Sequence, residues 1–191
     1  MEEINKIYQQ KCSKKSDINE HLPTIKTYCE KCEHITEMGT RDVVSTWAML
    51  ASKPSKMISY DIVRSNNIEQ AINLSKKYNV DFTFKIADTL NLTIEKTDLL
   101  LIDTLHTYDQ LIQELNLHSD NVNKYIVLHD TVSFGTKDEK IYKHASNLIK
   151  NKTKTKQGLK TAVNDFLSDN DNWVLEKEFK NNNGLTIIKR K

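Results

Sequence analysis

The sequence predicts an α/β protein built on a doubly wound, mostly parallel sheet. Five β-favouring runs recur along the chain, separated by stretches with helical apolar spacing, which is the pattern of consecutive βαβ units. The run Leu99-Leu100-Leu101-Ile102 is unbroken aliphatic and leads directly into Asp103. That is the habit of a central strand buried on both faces of a parallel sheet. The chain has 191 residues, enough for one sizeable core and short for two full domains.

The elements follow in order. Residues 1–20 are polar and Lys-rich, and read as a loosely attached N-terminal arm ahead of a single domain over 21–191. Glu20 to Tyr28 reads as a helix entered through Pro23 and ending near Cys32. His34-Ile35-Thr36-Glu37 is the first strand. A helix over Asp42–Ala51 follows, with Asp42 as N-cap and Lys53-Pro54 as the stop. Lys56–Asp61 is the second strand, and Asn67–Tyr78 an amphipathic helix with Ile68, Ala71, Ile72 and Leu74 on its apolar face. Asp81–Asp88 is the third strand and Thr97–Asp103 the fourth. A helix over Tyr108–Leu117 leads to the fifth strand, Lys124–Asp130. The stretch from Thr131 to Glu139 reads as a loop, 140–150 as a helix, and 151–157 as a solvated basic linker. A helix over Gly158–Leu167 precedes two runs, Trp173–Phe179 and Leu185–Lys189. The turn between them, Asn181-Asn182-Asn183-Gly184, makes them a closing hairpin. Right-handed crossovers place the helices on both faces of the sheet.

Bulk properties bound the function. Hydrophobic residues make up 38% and charged residues 28%, and the net charge is +2, so nothing points to a nucleic-acid or membrane partner. The acidic start Met1-Glu2-Glu3 does not resemble a secretory signal, and the expected location is cytoplasmic. Cys29-Glu30-Lys31-Cys32 has the spacing of half a zinc knuckle, but Cys12 is the only other cysteine. Thiols at the end of a helix are therefore expected there, not a zinc site.

Chemistry concentrates at the carboxyl ends of the strands, where open α/β sheets bind ligands. Every strand delivers an acid to that edge: Glu37, Asp61, Asp88, Asp103 and Asp130. Turn preferences explain one such acid more easily than five. The first turn, Glu37-Met38-Gly39-Thr40-Arg41-Asp42, contains one glycine instead of the three of a dinucleotide fingerprint, which argues against a nicotinamide-dependent oxidoreductase. Asp61 is placed to accept hydrogen bonds from ribose hydroxyls. Asp103 and Asp130 offer hard oxygen ligands suited to Mg²⁺, and His106 an imidazole whose ordinary pKa suits proton transfer near neutrality. Residues adjacent in a strand point to opposite faces, so His129 is expected behind Asp130. Trp47 is expected in the core, and His21 at the mouth of the site. A non-catalytic cofactor- or partner-binding module is the reading from outside enzymology, and the grouping of Asp103, His106 and Asp130 argues against it.

The order of Glu-x-Gly in the first turn, Asp61, Ala87-Asp88 and Ile102-Asp103 resembles the class I S-adenosylmethionine-dependent methyltransferases. Ile102-Asp103-x-x-His106-x-Tyr108 together with Leu128-His129-Asp130-Thr131 resembles their metal-dependent O-methyltransferase and cephalosporin-hydroxylase-like group. The resemblance covers about residues 20 to 190. It implies a seven-stranded sheet of order 3-2-1-4-5-7-6 with the last strand antiparallel. It implies that Glu37, Gly39 and Thr40 contact the methionine part of the cofactor, with Ser45 nearby on the first helix. Asp61 would bind its ribose and Ala87 with Asp88 would border the adenine, with Ile62 and Asp103 as further cofactor-binding residues. Asp103, Asp130 and Thr131 would hold a divalent cation, expected to be Mg²⁺, with His106 as general base. The implied activity is O-methylation of a small hydroxylated molecule such as a sugar. A homodimer is allowed, because the N-terminal segment could cover its own site or a neighbour's. The chain departs from the resemblance where the family's second and third glycines would stand.

Overall fold

A computed structural model of the chain describes residues 1–140 and 155–191. The helix expected over 140–150 and most of the basic linker lie outside those residues. The helices are α1 (Glu2–Ser13), α2 (Leu22–Cys29), α3 (Val44–Ala51), α4 (Ile68–Lys77), α5 (Tyr108–His118) and α6 (Leu159–Asp169). The strands are β1 (His34–Met38), β2 (Lys56–Asp61), β3 (Asp81–Ile86), β4 (Thr97–Ile102), β5 (Val122–His129), β6 (Trp173–Phe179) and β7 (Leu185–Arg190). They form one sheet of order β3-β2-β1-β4-β5-β7-β6, in which β7 runs antiparallel to both of its neighbours.

Alternation along β4 divides the core in two. Leu99 and Leu101 face a layer containing Leu22, Ile25, Trp47, Met49, Leu50, Ile68 and Ala71, from α2, α3 and α4. Leu100 and Ile102 face Leu111, Leu115, Ala162, Val163 and Phe166 from α5 and α6. Both sides of the strand are therefore dry, as four successive aliphatics require. Trp47 is buried as expected. Cys29 and Cys32 are buried thiols at the end of α2, with Cys32 Sγ donating to the Tyr28 carbonyl.

Two expectations are corrected. Residues 1–20 are not loosely attached: α1 packs on α3, and Ile4, Tyr8 and Ile18 are buried in the same core as Trp47. The apolar residues of this segment are few, but they fall on one face, and burying that face offsets the polar remainder. Asp42 does not cap the helix after β1. Arg41 and Val43 adopt left-handed φ values of 37° and 61°, the Val43 amide donates to the Thr40 carbonyl, and α3 starts only at Val44.

Candidate active site

The carboxyl ends of β1, β2 and β4 are laced together by backbone hydrogen bonds. Gly39 N donates to the Tyr60 carbonyl and Asp103 N to the Met38 carbonyl, both at 2.9 Å. A Cβ on Gly39 would stand 2.0 Å from the Asp103 carbonyl oxygen, and its φ is +87°, so only glycine fits this crossing. The next two turn positions where the resemblance expects glycine hold Arg41 and Val43. Their left-handed backbone retains a glycine-like path despite the side chains, at a cost of about 1–2 kcal/mol each.

Beside this turn lies a cleft of about 520 Å³, a size that accommodates a nucleoside-type cofactor. Gly39, Asp61, Ile62, Ala87, Asp88, Asp103 and His106 line it, as do Arg41 and Gln110. Asp61 organises one wall. Its Oδ2 accepts hydrogen bonds from Thr40 N (2.8 Å), Thr40 Oγ1 (3.0 Å) and Arg41 N (2.9 Å), and its Oδ1 accepts one from Val63 N (3.0 Å). A carboxylate has about four acceptor positions, so Oδ1 retains room for one ligand hydroxyl.

Glu37, Thr40 and Ser45 do not line the cleft. Glu37 is fully buried and accepts hydrogen bonds from Ser45 Oγ (2.6 Å), Thr46 Oγ1 (2.9 Å) and Ser59 Oγ (2.6 Å). It lies directly across from Ser59 in the β1–β2 register, so strand pleating turns it toward α3 and away from solvent. Burial pushes its carboxyl up to about 7, against the three hydroxyl donors that favour the charged form. Thr40 is buried, and its hydroxyl is taken up by Asp61.

At the far end of the cleft, Asp103 and Asp130 share two histidines. His106 Nε2 stands 3.1 Å from both Asp103 Oδ1 and Asp130 Oδ2. His129 Nδ1 stands 3.3 Å and 3.2 Å from the same two oxygens. The outer ring nitrogens are also held: His106 Nδ1 donates to Glu139 Oε2 at 2.9 Å, and His129 Nε2 to the Asp17 carbonyl at 3.0 Å. Phe134 stacks flat on His106, centroids 4.9 Å apart. Burial alone would lower both histidines, but the two aspartates outweigh it, raising His106 and taking His129 to about 10. The same contacts hold Asp103 well below the usual carboxylate range despite its own burial. Without a cation, the cluster is balanced by protons on the imidazoles.

The cluster fits a divalent cation. Asp103, His129 and Asp130 offer three ligand atoms within 4.8 Å of one another. Asp130 Oδ1 is buried with no hydrogen-bond partner among the described residues. Two earlier expectations change. His129 faces Asp103 and does not lie behind Asp130, because Asp130 adopts φ +59° and breaks the alternation that would separate the two side chains. Thr131 is outside the ligand group: it is buried, and its hydroxyl accepts from Thr186 Oγ1 at 2.9 Å.

The loop after β5 and the segment ahead of α2 contribute further residues to the site. Glu139 holds His106, and Asp138 Oδ1 accepts from Tyr108 N and Gly158 N, tying the loop to the start of α5. Adjacent acids, Asp138 and Glu139, in the loop that follows β5 at an acid-lined edge were the available signal. Asp17 also contributes: its carbonyl orients His129, and its carboxylate pairs with Arg41 at 2.5 Å. His21 donates from Nε2 to the Asn181 and Asn182 carbonyls and is 1% exposed, so it clamps the N-terminal segment to the β6–β7 turn and does not line the cleft.

Comparison with known proteins adds the family. A family model described as a domain of unknown function, DUF4411, matches residues 62–188. The chain belongs to the DUF4411 family. The matched stretch includes Asp103, His106, His129, Asp130 and Glu139. No curated protein sequence matches the chain. Solved structures match over nearly its whole length. SAH-bound PaMTH1, a methyltransferase of Podospora anserina, is 15% identical with a TM-score of 0.59, covering 98% of this chain and 87% of its own. A methyltransferase of Geobacter sulfurreducens is 11% identical with a TM-score of 0.58, covering 98% and 87%. The N-terminal domain of EvdMO1, determined in the presence of SAH and D-fucose, is 14% identical with a TM-score of 0.52, covering 93% and 83%. At such identities these likenesses establish the fold, which is that of the class I S-adenosylmethionine-dependent methyltransferases. No helix among the described residues is long and apolar enough to cross a membrane.

Proposed function

We propose that this DUF4411 protein is an S-adenosylmethionine-dependent O-methyltransferase acting on a hydroxyl of a small molecule such as a sugar, with a divalent cation at Asp103 and Asp130. The observation that carries the reading is the joining of one nucleoside-sized cleft to a two-carboxylate, two-imidazole cluster at the carboxyl edge of a methyltransferase-type sheet. The reacting end is the wall shared by Gly39, Asp103 and His106. The similar domain of EvdMO1 was determined with D-fucose present, which supports a sugar as one acceptor class.

The sulfonium cofactor would supply an activated methyl group, and the cation would lower the pKa of a coordinated hydroxyl. The chain's own residues do the remainder. Asp61 Oδ1 would accept a hydrogen bond from a ribose hydroxyl, and Ile62 and Ala87 would give the cofactor apolar walls. Arg41 lines the same cleft and carries the positive charge that a cofactor carboxylate would need, shared with its partner Asp17. Glu139 keeps a proton on His106 Nδ1, which leaves Nε2 as the atom that receives the acceptor's proton. Asp103 and Asp130 then stabilise the imidazolium that results. Phe134 shields that ring from water.

The experiment is transfer of an isotopically labelled methyl group to a panel of monosaccharides and nucleotide sugars, with products identified by mass spectrometry. The expected product is a methyl ether, lost in His106→Ala and Asp130→Ala. A labelled N-methyl or C-methyl product, or a yield in either variant equal to that of the unaltered chain, overturns the proposal.

A further inference from the structure

The donor set in the Asp103–Asp130 cluster is not all oxygen, and this bears on which cation it accepts. His129 Nε2 gives its hydrogen to the Asp17 carbonyl at 3.0 Å, and a carbonyl can only accept. The neutral ring is thereby fixed in the tautomer whose Nδ1 lone pair faces Asp103 Oδ1 at 3.3 Å and Asp130 Oδ2 at 3.2 Å. Without a cation that nitrogen carries a proton shared between the two carboxylates; a divalent cation among the three atoms takes that proton's place and leaves the Nδ1 lone pair as a ligand. Two neighbouring ligand atoms each about 2.1 Å from one ion stand about 3 Å apart, close to the separations found. A ligating imidazole whose other nitrogen donates to a backbone carbonyl is the usual support of a metal-bound histidine. Asp130 Oδ1, buried and without a partner among the described residues, adds a further oxygen on the same carboxylate.

We infer that Asp103, His129 and Asp130 form a nitrogen-containing site that selects a transition-metal dication, such as Mn²⁺, Fe²⁺, Co²⁺ or Zn²⁺, over Mg²⁺. The inference rests on the reading of a cation-assisted site and assigns that cation's class. Mg²⁺ takes oxygen ligands and retains its waters, whereas imidazole suits the first-row transition ions, whose affinity for a mixed nitrogen and oxygen site is intrinsically higher. His129 is the selecting residue. Its side chain is fully buried, and Asp17 fixes its orientation from the N-terminal segment.

The test is competitive metal binding to the full chain. After dialysis against Co²⁺ with roughly a hundredfold excess of Mg²⁺, about one equivalent of cobalt should remain by elemental analysis. Its visible absorption should change in His129→Asn, and Asp130→Ala should retain no cobalt. Bound Mn²⁺ in the unaltered chain should show nitrogen hyperfine coupling in pulsed electron paramagnetic resonance, a readout that needs no variant to fold. Displacement of Co²⁺ by comparable Mg²⁺, or absence of nitrogen coupling, overturns the selectivity while leaving a cation-assisted site standing. Failure of every cation to bind overturns both readings.

Discussion

Replacing Glu37 by glutamine should change how stability depends on pH, by an amount the structure sets. The Glu37 carboxyl is raised from 4.5 to about 7 by burial beneath α3, against three hydroxyl donors. A carboxyl that holds its proton more tightly when folded makes the folded state bind more protons than the unfolded state. Stability from this group is therefore fully present below the unfolded pKa, falls as pH rises through the interval up to about 7, and is flat above it. A difference of this size corresponds to about 3 kcal/mol. In Glu37→Gln the side chain cannot ionise; its amide oxygen can still accept from Ser45 and Thr46 while its amino group donates to a reoriented Ser59 hydroxyl. Urea unfolding of both proteins at acidic, neutral and mildly alkaline pH isolates the effect, because every other titrating group is common to the pair. The stability of the native chain relative to Glu37→Gln should fall by about 3 kcal/mol between acidic and alkaline pH. A difference that stays constant with pH would refute the claim that this carboxyl is buried and titrates near neutrality.

Three further outcomes follow from the same structure. Gly39→Ala places a Cβ 2.0 Å from the Asp103 carbonyl, so it should cost at least about 2 kcal/mol in unfolding free energy and weaken cofactor binding; a neutral effect contradicts the tight β1–β4 crossing. Ile4→Ala removes a fully buried side chain from α1 and should cost about 2–4 kcal/mol by urea denaturation, whereas a truly loose arm would lose almost nothing. Glu139→Gln removes a carboxylate that raises His106, so the acidic limb of the kcat profile should move to lower pH with KM little changed; an unmoved limb means Glu139 does not position that base.

Much of the fold was legible because burial dictates residue type in this sheet. Leu99 to Ile102 must be dry on both faces, and β5, with Ile126-Val127-Leu128, was readable for the same reason. The Asn-rich turn before Gly184 takes left-handed φ at Asn182 and Asn183, as the residue types imply. The errors arose where backbone conformation departed from ideal alternation or where burial redirected a polar group. Asp130 at positive φ turned His129 into the site, and Glu37 pointed into the interior beside Ser59, not toward the cleft. The roles of Asp17 and Glu139 depend on contacts made across 112 and 33 residues of chain, which no local pattern encodes.

The central claim is that the cleft beside Gly39 and Asp61 holds an S-adenosyl cofactor. Isothermal titration with S-adenosylhomocysteine tests it most directly. The account predicts one site per chain, weakened about tenfold or more in Asp61→Ala, where a hydrogen bond to a charged acceptor is lost. Absence of binding by the unaltered chain, with a saturable fluorescence response to NADH in its place, would contradict it.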